Sequence, residues 1–211
     1  FYSFVESHKI ISSSQFGFCR KRSTVDQLVQ LTSIVSRAFD SKSSCDQLFL
    51  DFSKAFDRVS HHLVIQSVSG WCSLSACSWV KDFISDRSIC VRIGQTLSDP
   101  LPITAGVPQG SHLGPLLFNL CINSFPDAPA SSTLSLFADD SNLILVSPAN
   151  TSLPIHHALL QTDIDKCCQW SSATAMTFNT SKCVHLPFQK YALAPGPSSP
   201  LTMNGVPIQK G

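Results

Sequence analysis

The chain has 211 residues, enough for one large domain or two small ones. Its hydrophobic share of 43% supports a packed core, and its charged share of 14% is low against a typical value of about 25%. A net charge of +1 excludes a strong overall field for drawing in a polyanion, which leaves the local cluster Arg20-Lys21-Arg22 as the visible basic feature.

In chain order, Ser23 or Thr24 caps a helix whose apolar positions are Val25, Leu28, Leu31, Ile34, Val35 and Ala38. A polar turn at 41–44 leads to a buried strand over 47–52 that carries Asp51 at its end. Helices are expected over 60–68 and 74–84, on either side of Gly70-Trp71. Strands follow at 89–93 and 101–104, then a Gly/Pro-rich loop at 106–111 and a helix over 112–123. Leu134–Phe137 and Leu143–Val146 read as two short strands, with Ala138-Asp139-Asp140-Ser141 as the turn between them. A helix over 153–170, a strand over 183–188, an exposed Pro/Ser-rich loop over 190–200 and a hairpin over 201–208 complete the pattern. No internal repeat is present. Strands and helices mix without strict alternation, which points to an α+β fold, an antiparallel sheet backed by helices.

Nine cysteines are scattered and odd in number, with no C-x-x-C pair. A disulfide framework belongs to much smaller secreted chains, so these read as reduced thiols, mostly buried, and zinc is not expected. The uncharged stretches 59–80, 100–126 and 141–162 are each broken by polar residues, and none is a membrane span. His61-His62 and His156-His157 lack an acidic or cysteine partner at ligand spacing and read as helix-face residues.

The chemistry-bearing feature is the pair Asp139-Asp140 between apolar strands, with Asp51 ending a distant strand. Adjacent carboxylates in an apolar setting are costly unless a cation binds them, and two strand-borne acidic positions suit a two-metal phosphoryl-transfer site. Taken alone, Asp139-Asp140 is better read as a solvated turn, Gly106–Gly110 as an ordinary loop, Lys182 as a surface charge, and Phe56 and Phe137 as core aromatics.

Order changes that reading. Leu50-Asp-Phe-Ser-Lys-Ala-Phe-Asp57, Gly106-Val-Pro-Gln-Gly-Ser111, Phe137-Ala-Asp-Asp140 and Phe178-Asn-Thr-Ser-Lys-Cys183 resemble successive motifs of reverse transcriptases, most of all those of non-LTR (LINE-type) retrotransposons. Gln15-Phe-Gly-Phe18 with Arg22-Ser-Thr24 resembles the fingers motif, and Ser78–Arg87 also matches, so the likeness runs over nearly the whole chain.

The resemblance implies a right-hand polymerase palm with partial fingers and no thumb: 1–45 as fingers, 46–188 as palm, and 189–211 as a linker and a hairpin before the primer grip. It implies an RNA-directed DNA polymerase that uses two Mg²⁺ ions about 3.5–4 Å apart, with Mn²⁺ as a substitute. Asp51 and Asp139 would be the metal ligands, with Asp140 weaker and the Phe52 carbonyl a further donor. Phe56 would lie beneath the incoming sugar and favour dNTPs; Gln109 and Gly110 would contact the nucleotide; Ala138 would lie near the primer terminus. Lys182 would act near the triphosphate, and Arg22 would face triphosphate or template phosphate. Partners would be an RNA template with a DNA primer and dNTPs, with no membrane, in the nucleus and cytoplasm as a ribonucleoprotein. The thumb and an endonuclease are expected outside this chain.

Cys19 stands where the family usually has arginine, so the resemblance implies a lost phosphate contact in the fingers, with Arg20 as a partial replacement. His112, Cys121-Ile-Asn-Ser124 and Ser172-Ala-Thr-Ala175 also depart from the family pattern, and none is a metal ligand. Two other readings stand beside the polymerase. One is a non-catalytic nucleic-acid-binding remnant, suggested by the neutral charge and Cys19; the other is an RNA-directed RNA polymerase, against which Phe56 argues.

Overall fold

The computed structural model describes residues 1–188 and 200–211. Apart from Pro200, the loop expected over 190–200 lies outside the described residues. The chain divides into two compact units, Phe1–Ser53 with Asn123–Gly211, and Lys54–Ile122.

The first unit is built on a five-stranded sheet. Its strands are β1 (Ser44–Leu50), β6 (Thr133–Phe137), β7 (Asp140–Ser147), β8 (Val184–Phe188) and β11 (Gln209–Lys210), in the order β11-β8-β1-β7-β6. Four of them pair antiparallel, as expected, but β11 joins the edge of β8 in parallel, so the sheet is mixed. That edge strand follows the hairpin of β9 (Thr202–Met203) and β10 (Val206–Pro207). Two residues are too short a segment to show a strand period, and for that reason β11 is invisible in the sequence.

Helices cover both faces of the sheet. α2 (Thr24–Asp40) begins with a capping box in which the Ser23 hydroxyl accepts from the Asp26 N–H and the Asp26 carboxylate accepts from the Ser23 N–H. Such caps are worth about 1 kcal/mol. Leu31 and Ala38 of α2 form a buried cluster with Cys45 of β1 and Ile144 of β7. Asp46, the next residue along β1, points to the opposite face and meets His156 of α7 (Leu153–Thr174). A short helix, α1 (Tyr2–Ser7), precedes these elements and has no clear period in the sequence.

Beneath the end of β1 lies an aromatic cluster. Phe52 stacks on Phe178 with ring centroids 4.5 Å apart, and Phe125 and Trp170 pack edge-on around it. Each such pair adds about 0.5–1.5 kcal/mol beyond area burial, so the backbone next to Asp51 is firmly held.

The second unit holds α3 (Ala55–Arg58), α4 (His61–Ser69), α5 (Leu74–Ile84) and α6 (Gly114–Cys121), with α4 packed on both α5 and α6. Its strands are short: β2 (Arg87–Ile89) pairs with β5 (Leu101–Ile103), and β3 (Arg92–Ile93) with β4 (Thr96–Leu97). The single strand expected over 89–93 is therefore interrupted at Cys90-Val91, where Val91 bonds to Ser98. Among the described residues no helix is long and apolar enough to cross a membrane. All nine cysteines are free; Cys45, Cys121, Cys167, Cys168 and Cys183 are buried, and Cys90 is exposed.

Candidate active site

Sheet register decides whether the distant carboxylates meet. β1 and β7 are neighbours, with Leu50 opposite Ser141. Asp51 is the first residue past that pair on one strand, and Asp140 the first residue before it on the other. The hairpin ladder continues to the pair Phe137–Asp140, so the turn is only Ala138-Asp139, and Asp140 and Ser141 belong to β7 rather than to a four-residue turn. A two-residue connection suits the right-handed twist of adjacent strands. Asp51, Asp139 and Asp140 thus share one end of the sheet.

Electrostatics agree with the geometry. Burial pushes the Asp139 carboxyl up from the usual carboxylate range; a hydrogen bond from its own backbone pulls it down, and the charges of Asp140 and Asp51 push it up again. Like charges within mutual range make a site that a cation would relieve.

The donors are oxygens, the type that Mg²⁺ and Mn²⁺ take. The Phe52 carbonyl is also available by backbone logic. In the Phe52–Phe178 bridge the bonds run from Ser53 N–H to Thr177 C=O and from Asn179 N–H to Asp51 C=O. By the alternation of an antiparallel ladder, the carbonyl of Phe52 itself is directed to the other side of the strand, toward β7. Among the described residues no group of three or more His, Cys, Asp or Glu is placed to hold a metal ion by itself. Mg²⁺ commonly takes one or two carboxylates and completes its shell with water and substrate phosphates, a pattern that Asp51 and Asp139 fit.

An open groove of about 820 Å³ runs between α2 and the sheet, lined by Leu28, Leu31 and Val35 on the helix side. Asp51, Asp140 and Lys182 line it as well. Lys182 reaches this position through the 179–182 turn, whose Asn179 N–H bonds the Asp51 carbonyl at 2.7 Å. No side-chain motif marks this contact of Asn179, because both partners are backbone atoms.

Arg22 caps backbone carbonyls through one of its terminal nitrogens. Its Nη1 donates to the carbonyls of Ser12, Ser13 and Gln15, and its guanidinium lies 5.5 Å from the Phe16 ring centroid. Ala138 is buried in the turn with a φ of +56°.

Phe56, Gln109 and Gly110 belong to the second unit. Phe56 stacks on Phe118 at 4.2 Å, its carbonyl accepts from the Val107 N–H, and Gln109 donates to the Asp57 carboxylate at 2.5 Å. The motif segments 54–59 and 105–111 are therefore knitted together. Gly106 is essential there: a Cβ on it would stand 2.7 Å from the Asp57 carbonyl oxygen.

The structure also corrects the reading of the histidines. His156 is fully buried and does have an acidic partner: Asp46 lies 3.4 Å from its Nε2 and 2.7 Å from Nε2 of His185. The partners are 110 and 139 residues apart in sequence, so local spacing could not reveal them.

A family model described as reverse transcriptase (RNA-dependent DNA polymerase) matches residues 2–205. The chain is 32% identical over 205 residues to a probable RNA-directed DNA polymerase from transposon BS of Drosophila melanogaster, covering 94% of this chain and 22% of that protein. It is 29% identical over 187 residues to the RNA-directed DNA polymerase from mobile element jockey of the same species, covering 85% of this chain and 20% of that protein. The chain thus spans about a fifth of the length of these relatives. Among solved structures, apo telomerase from Candida tropicalis truncated from its C-terminal domain superposes with a TM-score of 0.60 at 13% identity, covering 97% of this chain and 41% of that one. Telomerase from Candida albicans, in complex with a fragment of telomeric RNA, gives 0.61 at 11% identity, covering 92% and 35%. At these identities the likeness is one of fold, a palm-type α+β architecture.

Proposed function

Because the chain belongs to the reverse transcriptase family, with relatives of the non-LTR retrotransposon type, we propose that it transfers deoxynucleotides to a primer 3′-hydroxyl on an RNA template. The observation that carries this reading is the convergence of Asp51 and Asp139-Asp140 at one end of the sheet, with Lys182 lining the same groove as Asp51.

In this reading Asp51 and Asp139 would hold two Mg²⁺ ions, with Asp140 and the Phe52 carbonyl as further donors. Bound Mg²⁺ would lower the pKa of the primer hydroxyl and neutralise charge on the leaving pyrophosphate. The protein's own share is positioning and charge. The sheet end fixes the carboxylates, Lys182 offers its ammonium to the triphosphate, and Ala138 packs by the primer terminus. Phe56, Gln109 and Gly110 are proposed nucleotide contacts on the strength of their motifs. The ring of Phe56 would exclude a ribose 2′-hydroxyl. Arg22 remains a proposed phosphate contact. The division into fingers (1–45), palm (46–188) and a terminal segment (189–211) is part of the same proposal.

The test is Mg²⁺-dependent incorporation of labelled dNTPs on a primed RNA template, by the chain itself and by a fusion that supplies a thumb. Incorporation that vanishes in Asp139→Asn supports the reading; incorporation that survives that substitution overturns the role of Asp139. A preference for rNTPs would overturn the role of Phe56. A non-catalytic nucleic-acid-binding role is the second reading, favoured by the net charge of only +1 and by Cys19, which stands where the family usually has arginine. Template binding without incorporation in either form would establish it.

A further inference from the structure

The turn that carries Asp139 is not self-supporting. Ala138 occupies the left-handed region, at a turn position where glycine is the usual choice, and that costs a residue with a Cβ about 1–2 kcal/mol. Something outside the hairpin has to offset this cost.

That support comes from the segment 14–17, which lies alongside β6. Phe16 N–H bonds the Leu136 carbonyl at 2.7 Å, and Leu136 N–H bonds the Ser14 carbonyl at 2.8 Å. Between them the Gln15 side chain, 1% exposed, enters the turn. Its Oε1 accepts from the N–H groups of Ala138 and Gly17, each at 2.8 Å, and its Nε2 is 3.4 Å from the Ala138 carbonyl. Two N–H donors converge on one atom, so that atom must be the amide oxygen. Both polar groups of the Ala138 backbone are thereby addressed by a single buried side chain.

The neighbours of Gln15 are equally constrained. A Cβ on Gly17 would stand 2.3 Å from the Ala138 nitrogen, so glycine alone allows this approach. The Gln15 carbonyl is capped by Arg22, which also holds the carbonyls of Ser12 and Ser13. A chain of contacts therefore runs from the Arg22 guanidinium through Gln15 to the peptide that precedes Asp139.

We propose that Gln15 is a positioning residue for Asp139: its amide holds the Ala138 backbone in the left-handed conformation that aims the Asp139 carboxylate at the sheet end shared with Asp51. The inference rests on the reading of Asp139 as a metal ligand. Gln15 itself touches no reacting group. Substitutions of this supporting kind cost about 10–100-fold in metal affinity.

The experiment uses the chain itself. Amide hydrogen exchange at Ala138 is measured in the unaltered protein, and Mn²⁺ affinity is read by paramagnetic relaxation in the unaltered protein and in Gln15→Met, Gln15→Glu and Asp139→Asn. A protected Ala138 amide supports the proposal, as does a fall of about 10–100-fold in Mn²⁺ affinity for Gln15→Met, with Gln15→Glu retaining the Ala138 protection through its carboxyl oxygen. Exchange of the Ala138 amide at the rate of an unstructured peptide overturns it. So does a folded Gln15→Met that binds Mn²⁺ normally while Asp139→Asn does not. If Asp139→Asn binds Mn²⁺ normally, the metal-ligand reading of Asp139 falls instead, and Ala138 exchange still judges the clamp. If Gln15→Met does not fold, Ala138 exchange in the unaltered chain and in Gln15→Glu decides the matter.

Discussion

Leu50 stands directly opposite Ser141 in the central strand pair, and this one register sets Asp51 level with Asp140. A slip of one residue would turn every side chain of β1 to the other face of the sheet and carry Asp51 away from the hairpin. Burial of Leu48 and Leu50 against the α7 side, with Cys45 against α2, makes such a slip costly.

From this relationship follows a separation of stability from metal binding. Asp51→Asn and Asp139→Asn each remove one of several crowded like charges, so thermal stability is expected to hold within about 0.5 kcal/mol or rise. Mn²⁺ binding is expected to be lost, and Mg²⁺-dependent incorporation to fall at least about 100-fold. Calorimetry beside paramagnetic relaxation checks the contrast. Equal losses in stability and binding would show that these carboxylates are structural.

Acidification should destabilise the first unit in two stages. Burial opposes ionisation of Asp46, but the hydrogen bonds and charges of His156 and His185 win and hold its carboxyl well below the usual carboxylate range. A depressed carboxylate contributes stability above its unfolded pKa of about 3.9, and that contribution is lost as pH falls through the folded value. His157 is pushed down by burial, with Asp46 pulling it up and His185, His156 and Lys210 pushing it down. Its folded form resists protonation, so stability also falls once pH drops below the unfolded histidine pKa of about 6.5. Urea midpoints measured from pH 7.5 to about 2 should therefore decline first near pH 6.5 and more steeply below about pH 4. Asp46→Ala should abolish the lower stage and cost about 1–3 kcal/mol at neutrality by removing the hydrogen-bond partner of the buried His185.

The other anchor of the hairpin is at its base. The fully buried Asp163 of α7 accepts from the N–H groups of Ala130, Ser131 and Ser132 and from the Ser132 hydroxyl, which fixes the loop that enters β6. Asp163→Ala leaves those donors unsatisfied and is expected to cost at least about 1–3 kcal/mol. Asp163→Asn should recover only part of this, because one of the two acceptor oxygens becomes a donor. Urea unfolding of both variants measures the difference.

Sequence legibility followed the physical range of each signal. α2 was visible from its cap and its apolar period, and the reverse transcriptase motifs from their residue types and order. The hairpin around Asp139 was visible because two mostly apolar runs, Leu134–Phe137 and Leu143–Val146, flank it. Contacts between backbone and a distant side chain were not: Gln15 on Ala138 spans 123 residues, and Asp163 on Ser132 spans 31. Neither leaves a local period. Likewise Asp46 reads as an ordinary polar residue just before an apolar run until the fold brings His156 and His185 to it. Arg22 carried the expected charge, but the carbonyls that it caps are determined by loop conformation, which no motif encodes.

The two glycines of the 106–111 loop separate steric need from conformational need. Gly106 has a φ of +86°, and a Cβ there would meet the Asp57 carbonyl oxygen at 2.7 Å, backbone that cannot swing aside. Gly110 has a φ of +77°, with open space where its Cβ would go. Gly110→Ala should therefore cost only the left-handed penalty of about 1–2 kcal/mol. Gly106→Ala adds the displacement of the loop from Asp57, so its cost should exceed that of Gly110→Ala by at least about 1 kcal/mol. In the same variant the Val107 N–H, which bonds the Phe56 carbonyl at 2.9 Å, should lose its protection against hydrogen exchange. Gly110→Ala should leave that bond intact, and any loss of nucleotide affinity in it would then reflect the space above the loop rather than the loop's own fold. Equal destabilisation by the two substitutions, or retained Val107 protection in Gly106→Ala, would contradict the close approach to Asp57.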